Sequence, residues 1–150
     1  MAIGRLDVAS EGLLLLTTDG KVSAAIRTAK VEKEYYVQVD GLITADAFKE
    51  LKNGVEIGLK GEKYSTKPAD ASLLMTAPPF APRTKKIRDD RHGPTSWASI
   101  TLTEGKYRQV RKMTAAVGFP TLRLIRVRIG KVTLGDLKPG EVLEVDSFQI

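Results

Sequence analysis

Four consecutive leucines, Leu13–Leu16, bracketed by Gly12 on one side and Asp19-Gly20 on the other, set the first constraint on this chain. An unbroken apolar run of this length shows no helical alternation and ends in turn formers, so it reads as a buried strand. The polar segment before it, Gly4-Arg5-Leu6-Asp7 through Ser10-Glu11, then becomes a loop feeding a core strand. A rigid element can hold a loop carboxylate such as Asp7 at the edge of a cleft. Asp7 and Ser10 are equally suited to capping a turn there.

The rest of the chain mixes strand and helix signals. Lys21–Ala29 reads as a short helix, with Val22 and Ile26 four apart on one face. Residues 34–40 alternate, sending Tyr35, Val37 and Val39 one way and Tyr36, Gln38 and Asp40 the other. Thr44 is an N-cap for a helix to Asn53, closed by Gly54. Short strands follow between Val55 and Met75, then a proline-rich basic loop over 76–96, and a strand carrying Ala98, Ile100 and Leu102 inward. A helix from Tyr107 to Val117, a strand over Thr121–Ile129, a turn at Pro139-Gly140 and a closing strand near Val142–Val145 complete the pattern. Without a βαβ repeat this predicts an α+β fold: a largely antiparallel mixed sheet with packed helices, in a single domain over 1–150.

With 150 residues, 42% hydrophobic and 28% charged, the chain can bury one substantial core. It has no cysteine and one histidine, which excludes disulfides, thiolate chemistry and His-cluster metal sites. No apolar run reaches the ~18 residues of a membrane span, and the first residues lack the layout of a secretory signal, so a cytoplasmic protein is expected. The net charge of +6 is unevenly placed. Residues 1–82 carry 10 basic and 11 acidic side chains, residues 83–131 carry 13 and 3, and residues 132–150 carry 1 and 4. Such a concentrated basic stretch suits a polyanion, because neutralised phosphates release condensed counterions.

That basic stretch contains the predicted helix at 107–117. At 100° per residue, Val110, Met113 and Val117 share a face within about 60°, and Arg108, Arg111 and Lys112 fall within about 100° on the opposite half. The helix buries one edge and presents the other to solvent, a cleft or a polyanion. His92 reads as a surface loop residue and Trp97 as core or cleft wall. Gly130-Lys131-Val132-Thr133 is a turn, since it lacks the upstream glycine of a phosphate loop.

Three ordered stretches together resemble the Rsu/Rlu family of bacterial ribosomal RNA pseudouridine synthases. They are Gly4-Arg5-Leu6-Asp7 with Ser10, Gly12 and the leucines; Lys33-Glu34-Tyr35-Tyr36-Val37-Gln38-Val39-Asp40-Gly41; and Glu104–Met113 continuing through Gly118–Arg126. The third is most similar to the RluE branch, which acts on large-subunit rRNA. The resemblance implies a sheet with helices packed on it and a catalytic cleft across its middle. It implies Asp7 as the essential catalytic residue, Arg111 as its partner and Tyr35 as the active-site tyrosine. Val110 then lies against the target uracil. A guanidinium beside a carboxylate keeps it ionised when a bound base displaces water, and a two-pronged contact fixes its orientation.

Arg5, Arg108 and Lys112 are expected beside the substrate, with Arg5 bracing the Asp7 loop. Arg83, Lys85, Lys86, Arg88, Lys106, Arg123 and Arg126 are expected to contact RNA. The implied reaction turns a uridine into pseudouridine and needs neither cofactor nor metal; the implied partner is ribosomal RNA, with no membrane. Family members normally carry some tens of residues before the first signature, so the chain is expected to lack the first strands of the catalytic domain. Two other readings stand beside this one: a non-catalytic RNA-binding module derived from a synthase, and a glycosidase using Asp7 and Glu11 as paired carboxylates.

Overall fold

Strand β4 (Lys33–Asp40) is the axis of the molecule in the computed structural model, which describes residues 1–80, 93–148 and 150. Its alternation is the one expected: Val37 and Val39 are fully buried, while Tyr36 and Gln38 are half-buried on the other face. On one side β4 pairs antiparallel with β8 (Thr95–Leu102), which buries Ala98, Ile100 and Leu102. On the other it pairs antiparallel with β9 (Thr121–Ile129). The six-stranded sheet runs β10-β9-β4-β8-β7, with β7 at Asp70–Leu74 and β10 at Val132–Thr133. The sixth strand, β2 (Glu11–Gly12), lies parallel to β9. The fold is α+β with a mainly antiparallel mixed sheet.

Among the described residues, three helices pack against it. Helix α1 (Gly20–Thr28) is capped by Asp19, whose side chain accepts from the Lys21 amide, and α2 (Ala45–Asn53) by Thr44, which accepts from Ala47. Gly54 ends α2 at φ +100, where a Cβ would meet the Thr66 carbonyl at 2.3 Å, so only glycine fits. Helix α3 is Gln109–Ala116, two residues shorter at its start than expected, because Arg108 takes a left-handed φ of 50°. Leu51 of α2, Val110 and Met113 of α3, and Val37, Val39, Ile100 and Leu124 of the sheet form the main core. Ile57 joins it from a hairpin of β5 (Glu56–Leu59) and β6 (Glu62–Ser65). A second cluster joins Ile3, Leu13, Leu15, Val31 and Ile129, with Val22 and Ile26 of α1 against it.

Two expectations are corrected. The leucines do not form one buried strand. Leu13 and Leu15 are buried, but Leu14 and Leu16 are 40% and 52% exposed. The run divides: Leu13, just past β2, bonds through its amide to the Arg126 carbonyl of β9, whereas Leu15–Leu16 form β3, which pairs with β1 (Ala2–Ile3). Nor do residues 142–145 form a closing strand. Val142 and Leu143 are largely exposed and pair with no strand among the described residues, and the partner of β9 at this end is β10. The turn at Pro139-Gly140 is as expected; of the turn expected over Gly130–Thr133 only Gly130-Lys131 is one, since Val132–Thr133 pairs with β9 as β10.

Candidate active site

Between the first loop, the start of β4 and the start of α3 lies a cleft of about 610 Å³. Asp7, Arg5 and Ser10 line it from the loop, Lys33 and Tyr35 from β4, Leu124 and Arg126 from β9, and Arg108 and Val110 from α3. The sheet register explains the back wall. Tyr35 stands opposite Arg126 on β9 and Ile100 on β8, so these side chains share a face. A bulge between Glu34 and Tyr35 lets Glu34 face Arg128 and Tyr35 face Arg126, with Val127 skipped between them. The skipped residue turns Arg128 to the far face, where it binds Glu34 at 3.0 Å and the Gly130 carbonyl at 2.7 Å. Arg126 and Ile129 stay on the cleft side.

Arginines hold the Asp7 loop at four places. Arg108 Nη1 lies 3.3 Å from Asp7 Oδ2. Arg111 Nη2 donates to the Ala9 carbonyl at 3.1 Å and to Ser10 Oγ at 3.2 Å. Arg123 grips Glu11 with two prongs, at 2.7 and 2.8 Å. Arg126 donates to the carbonyls of Leu13 and Arg5, at 2.9 and 3.1 Å, and so ties together both ends of the loop. The Leu13 amide returns a bond to the Arg126 carbonyl at 2.8 Å. Asp7 is therefore pinned from its flanks and paired at its carboxylate.

The geometry redistributes the expected roles. Arg108, not Arg111, is the cation on Asp7; its left-handed backbone at the head of α3 swings it over the loop, and Arg111, three residues on, reaches the next turn of that loop. Arg123 and Arg126, expected on an RNA-facing surface, are 8% and 5% exposed, because each is consumed in anchoring the loop. Lys112 does not line the cleft: its ammonium donates to the Gly58 carbonyl at 2.8 Å and lies 5.2 Å from the Tyr107 ring centroid, tying α3 to the β5–β6 hairpin. Glu11 is held by Arg123 and is absent from the cleft lining, so the paired-carboxylate glycosidase reading loses its second acid. Asp7, Tyr35, Val110, Arg5, Arg108 and Lys106 all line the cleft. Arg83, Lys85, Lys86, Arg88 and His92 lie outside the described residues.

A polar clamp at the cleft rim was not read from the sequence. Glu104 accepts from the Tyr64 hydroxyl, from the Lys67 amide at 2.8 Å and from Gln109 Nε2 at 2.8 Å. Burial pushes the Glu104 carboxyl up, but those hydrogen bonds and the Lys67 charge together outweigh it and hold it below the usual carboxylate range. Gln109 also accepts from the Lys106 amide at 3.1 Å, fixing the turn that presents Arg108. Lys33 was also missed as a site residue. Its signal was present, two residues before Tyr35 on one strand and hence on one face.

Among the described residues no three His, Cys, Asp or Glu side chains gather to hold a metal, and no helix is long and apolar enough to cross a membrane.

The sequence profile of the RNA pseudouridylate synthase family matches residues 1–116. A ribosomal large subunit pseudouridine synthase E from Vibrio parahaemolyticus is 44% identical over 96% of this chain and 59% of its own length. The protein of the same name from Xanthomonas axonopodis pv. citri is 44% identical over 92% of this chain and 72% of its own. A crystal structure of a pseudouridylate synthase superposes with a TM-score of 0.69 at 35% identity, covering 89% of this chain and 50% of that one. The chain thus spans about 59% of the first of these relatives. With sequence, fold and cleft in agreement, the chain belongs to the RNA pseudouridylate synthase family.

Proposed function

We propose that this chain carries the catalytic cleft that converts a uridine of large-subunit ribosomal RNA to pseudouridine, with Asp7 acting first. The observation that carries the reading is the Asp7–Arg108 ion pair at the edge of a cleft walled by Tyr35 and Val110. The volume of about 610 Å³ accommodates a pyrimidine nucleotide. The target nucleotide leaves its stack to enter, at a cost of a few kcal/mol that an unpaired site reduces.

Inside the cleft, Tyr35 offers a ring to stack on the uracil and Val110 an apolar surface against its other side. Arg108 orients the Asp7 carboxylate as the base displaces water. Asp7 then acts on the ribose, as a nucleophile at C1′ or as a base at C2′. The bond from C1′ to N1 breaks, the freed uracil rotates, and a bond from C1′ to C5 forms. The C5 proton is lost and N1 gains one, so the reaction is an isomerisation without redox change. The Tyr35 hydroxyl, at the cleft wall, serves the C5 proton transfer in this reading. Walls that exclude water matter, because hydrolysis would release free uracil.

The test pairs Asp7→Asn with two readouts on an rRNA transcript. Pseudouridine formation, followed by tritium release from C5-labelled uridine, is abolished, while RNA affinity by filter binding stays within about twofold of wild type. Retained isomerisation in Asp7→Asn removes Asp7 from the mechanism. Unaltered RNA bound by the wild-type protein favours the non-catalytic binding module instead.

A further inference from the structure

Two cations on the cleft wall face no anion among the described residues. Arg126 is 5% exposed, its Nε and Nη1 donate to main-chain carbonyls, and its Nη2 is buried with no hydrogen-bond partner among the described residues. Lys33 lies half-buried on the same wall, and its ammonium makes no hydrogen bond or ion pair with any described residue. Burial, and then the Arg126 charge beside it, push the Lys33 ammonium below its ordinary range, so the two positive groups feel one another. The neighbouring carboxylates are committed elsewhere: Asp7 to Arg108, Glu104 to its rim clamp, Glu34 to Arg128 and Ser99, and Glu32 to Arg128. A Cβ at Gly105 would stand 3.6 Å from Lys33 Nζ, so the bare glycine leaves the ammonium open on that side.

Uncompensated buried charge is unfavourable unless something supplies a counter-charge. A neutral carbonyl on a base answers one donor but not two positive charges. The geometry points to a phosphate subsite formed by Lys33 above Arg126, which holds a phosphodiester group of the nucleotide whose base enters the cleft. Its position agrees. Arg126 stands opposite Tyr35 across the ladder and Lys33 two residues along the same face, so both flank the ring on which the base stacks. Lys33 makes the contact, while Arg126, fixed by the Asp7 loop, contributes its charge from below. The assignment of the phosphate to a nucleotide rests on the proposed function; the anion subsite itself does not.

Calorimetric titration with uridine, uridine 5′-monophosphate and inorganic phosphate tests it on wild type, Lys33→Met and Lys33→Arg. With wild type, the monophosphate binds about tenfold more tightly than uridine, the gain of one charge-assisted contact. Lys33→Met erases that advantage and leaves uridine affinity unchanged, and Lys33→Arg retains most of it. With an rRNA transcript, Lys33→Met also lowers the slope of log affinity against log salt by about 0.7, which a merely structural lysine leaves untouched. Equal binding of uridine and its monophosphate to wild type, or an advantage that survives Lys33→Met, overturns the subsite. If that happens while Asp7-dependent isomerisation proceeds, the subsite fails and the function stands. If phosphate binds through Lys33 but uridine does not bind, the pyrimidine cleft fails and the subsite stands.

Discussion

Gly12→Ala tests whether close backbone approach, not side-chain chemistry, seats the Asp7 loop. Gly12 sits at φ +108 in β2, and a Cβ there would lie 2.3 Å from the Arg126 carbonyl oxygen and 2.6 Å from its nitrogen. Both are main-chain atoms, so no rotamer change relieves the clash. Forcing an L-residue into left-handed backbone costs about 1–2 kcal/mol. Moving β2 off β9 gives up the Leu13 amide bond to Arg126 and the return bond from Arg126 Nε to the Leu13 carbonyl. At about 1 kcal/mol net for each bond, the total loss is about 3–4 kcal/mol. Urea denaturation followed by circular dichroism reads this as a midpoint lowered by about 1.5–2 M at a slope near 2 kcal/mol/M. Gly4→Ala is the control: Gly4 also has a positive φ, +73, but nothing lies within 4 Å of its Cβ position. It carries the backbone strain alone, about 1–2 kcal/mol. If Gly12→Ala destabilises no more than Gly4→Ala, the close-approach argument is wrong.

The rim clamp gives a pH prediction. Because Glu104 is held below its ordinary value of 4.5, it binds protons less readily folded than unfolded. Its stabilisation is therefore present above that value and lost as pH falls through the lower folded value. Glu104→Gln flattens this acid limb in urea midpoints taken from neutral to strongly acidic pH; an unchanged limb removes Glu104 as its source. The Glu11–Arg123 pair gives a second test. Arg123→Met alone leaves the Glu11 charge without its two-pronged partner and costs about 2–3 kcal/mol, whereas adding Glu11→Gln recovers at least about 1 kcal/mol. A double mutant as unstable as the sum of the singles contradicts direct coupling.

Much of this fold is legible because local rules and tertiary pairing agree. Strands β4 and β8 alternate with period two and bury the odd or even set that the pattern names. Thr44 and Gly54 mark both ends of α2 by the two clearest signals a helix can carry. Partner choice is what the sequence conceals. Leu13–Leu16 has the composition of a core strand, but Leu13 bonds to β9 while β3 lies along β1, so the run splits and two leucines reach solvent. Val142–Val145 has strand-forming residues and no described strand beside it, and propensity without a ladder leaves it exposed.

The site shows the same division more sharply. Asp7, Tyr35 and Val110, each singled out by a motif, do line one cleft. The arginines are not legible in that way, because a guanidinium looks identical in sequence whether it faces RNA or props a loop. Arg108 reaches Asp7 through a left-handed residue at the head of α3, a position that composition would assign to glycine. A single skipped residue at Val127 decides that Arg126 faces the cleft and Arg128 the opposite side. Counting charges along residues 83–131 therefore overstates the cationic surface: Arg123, Arg126 and Arg128 answer internal oxygens. What the count does reveal, once these are assigned, is their shared purpose. The arginines at 108, 111, 123 and 126 converge on the loop between Gly4 and Leu13, so much of the stretch's charge holds Asp7 in place.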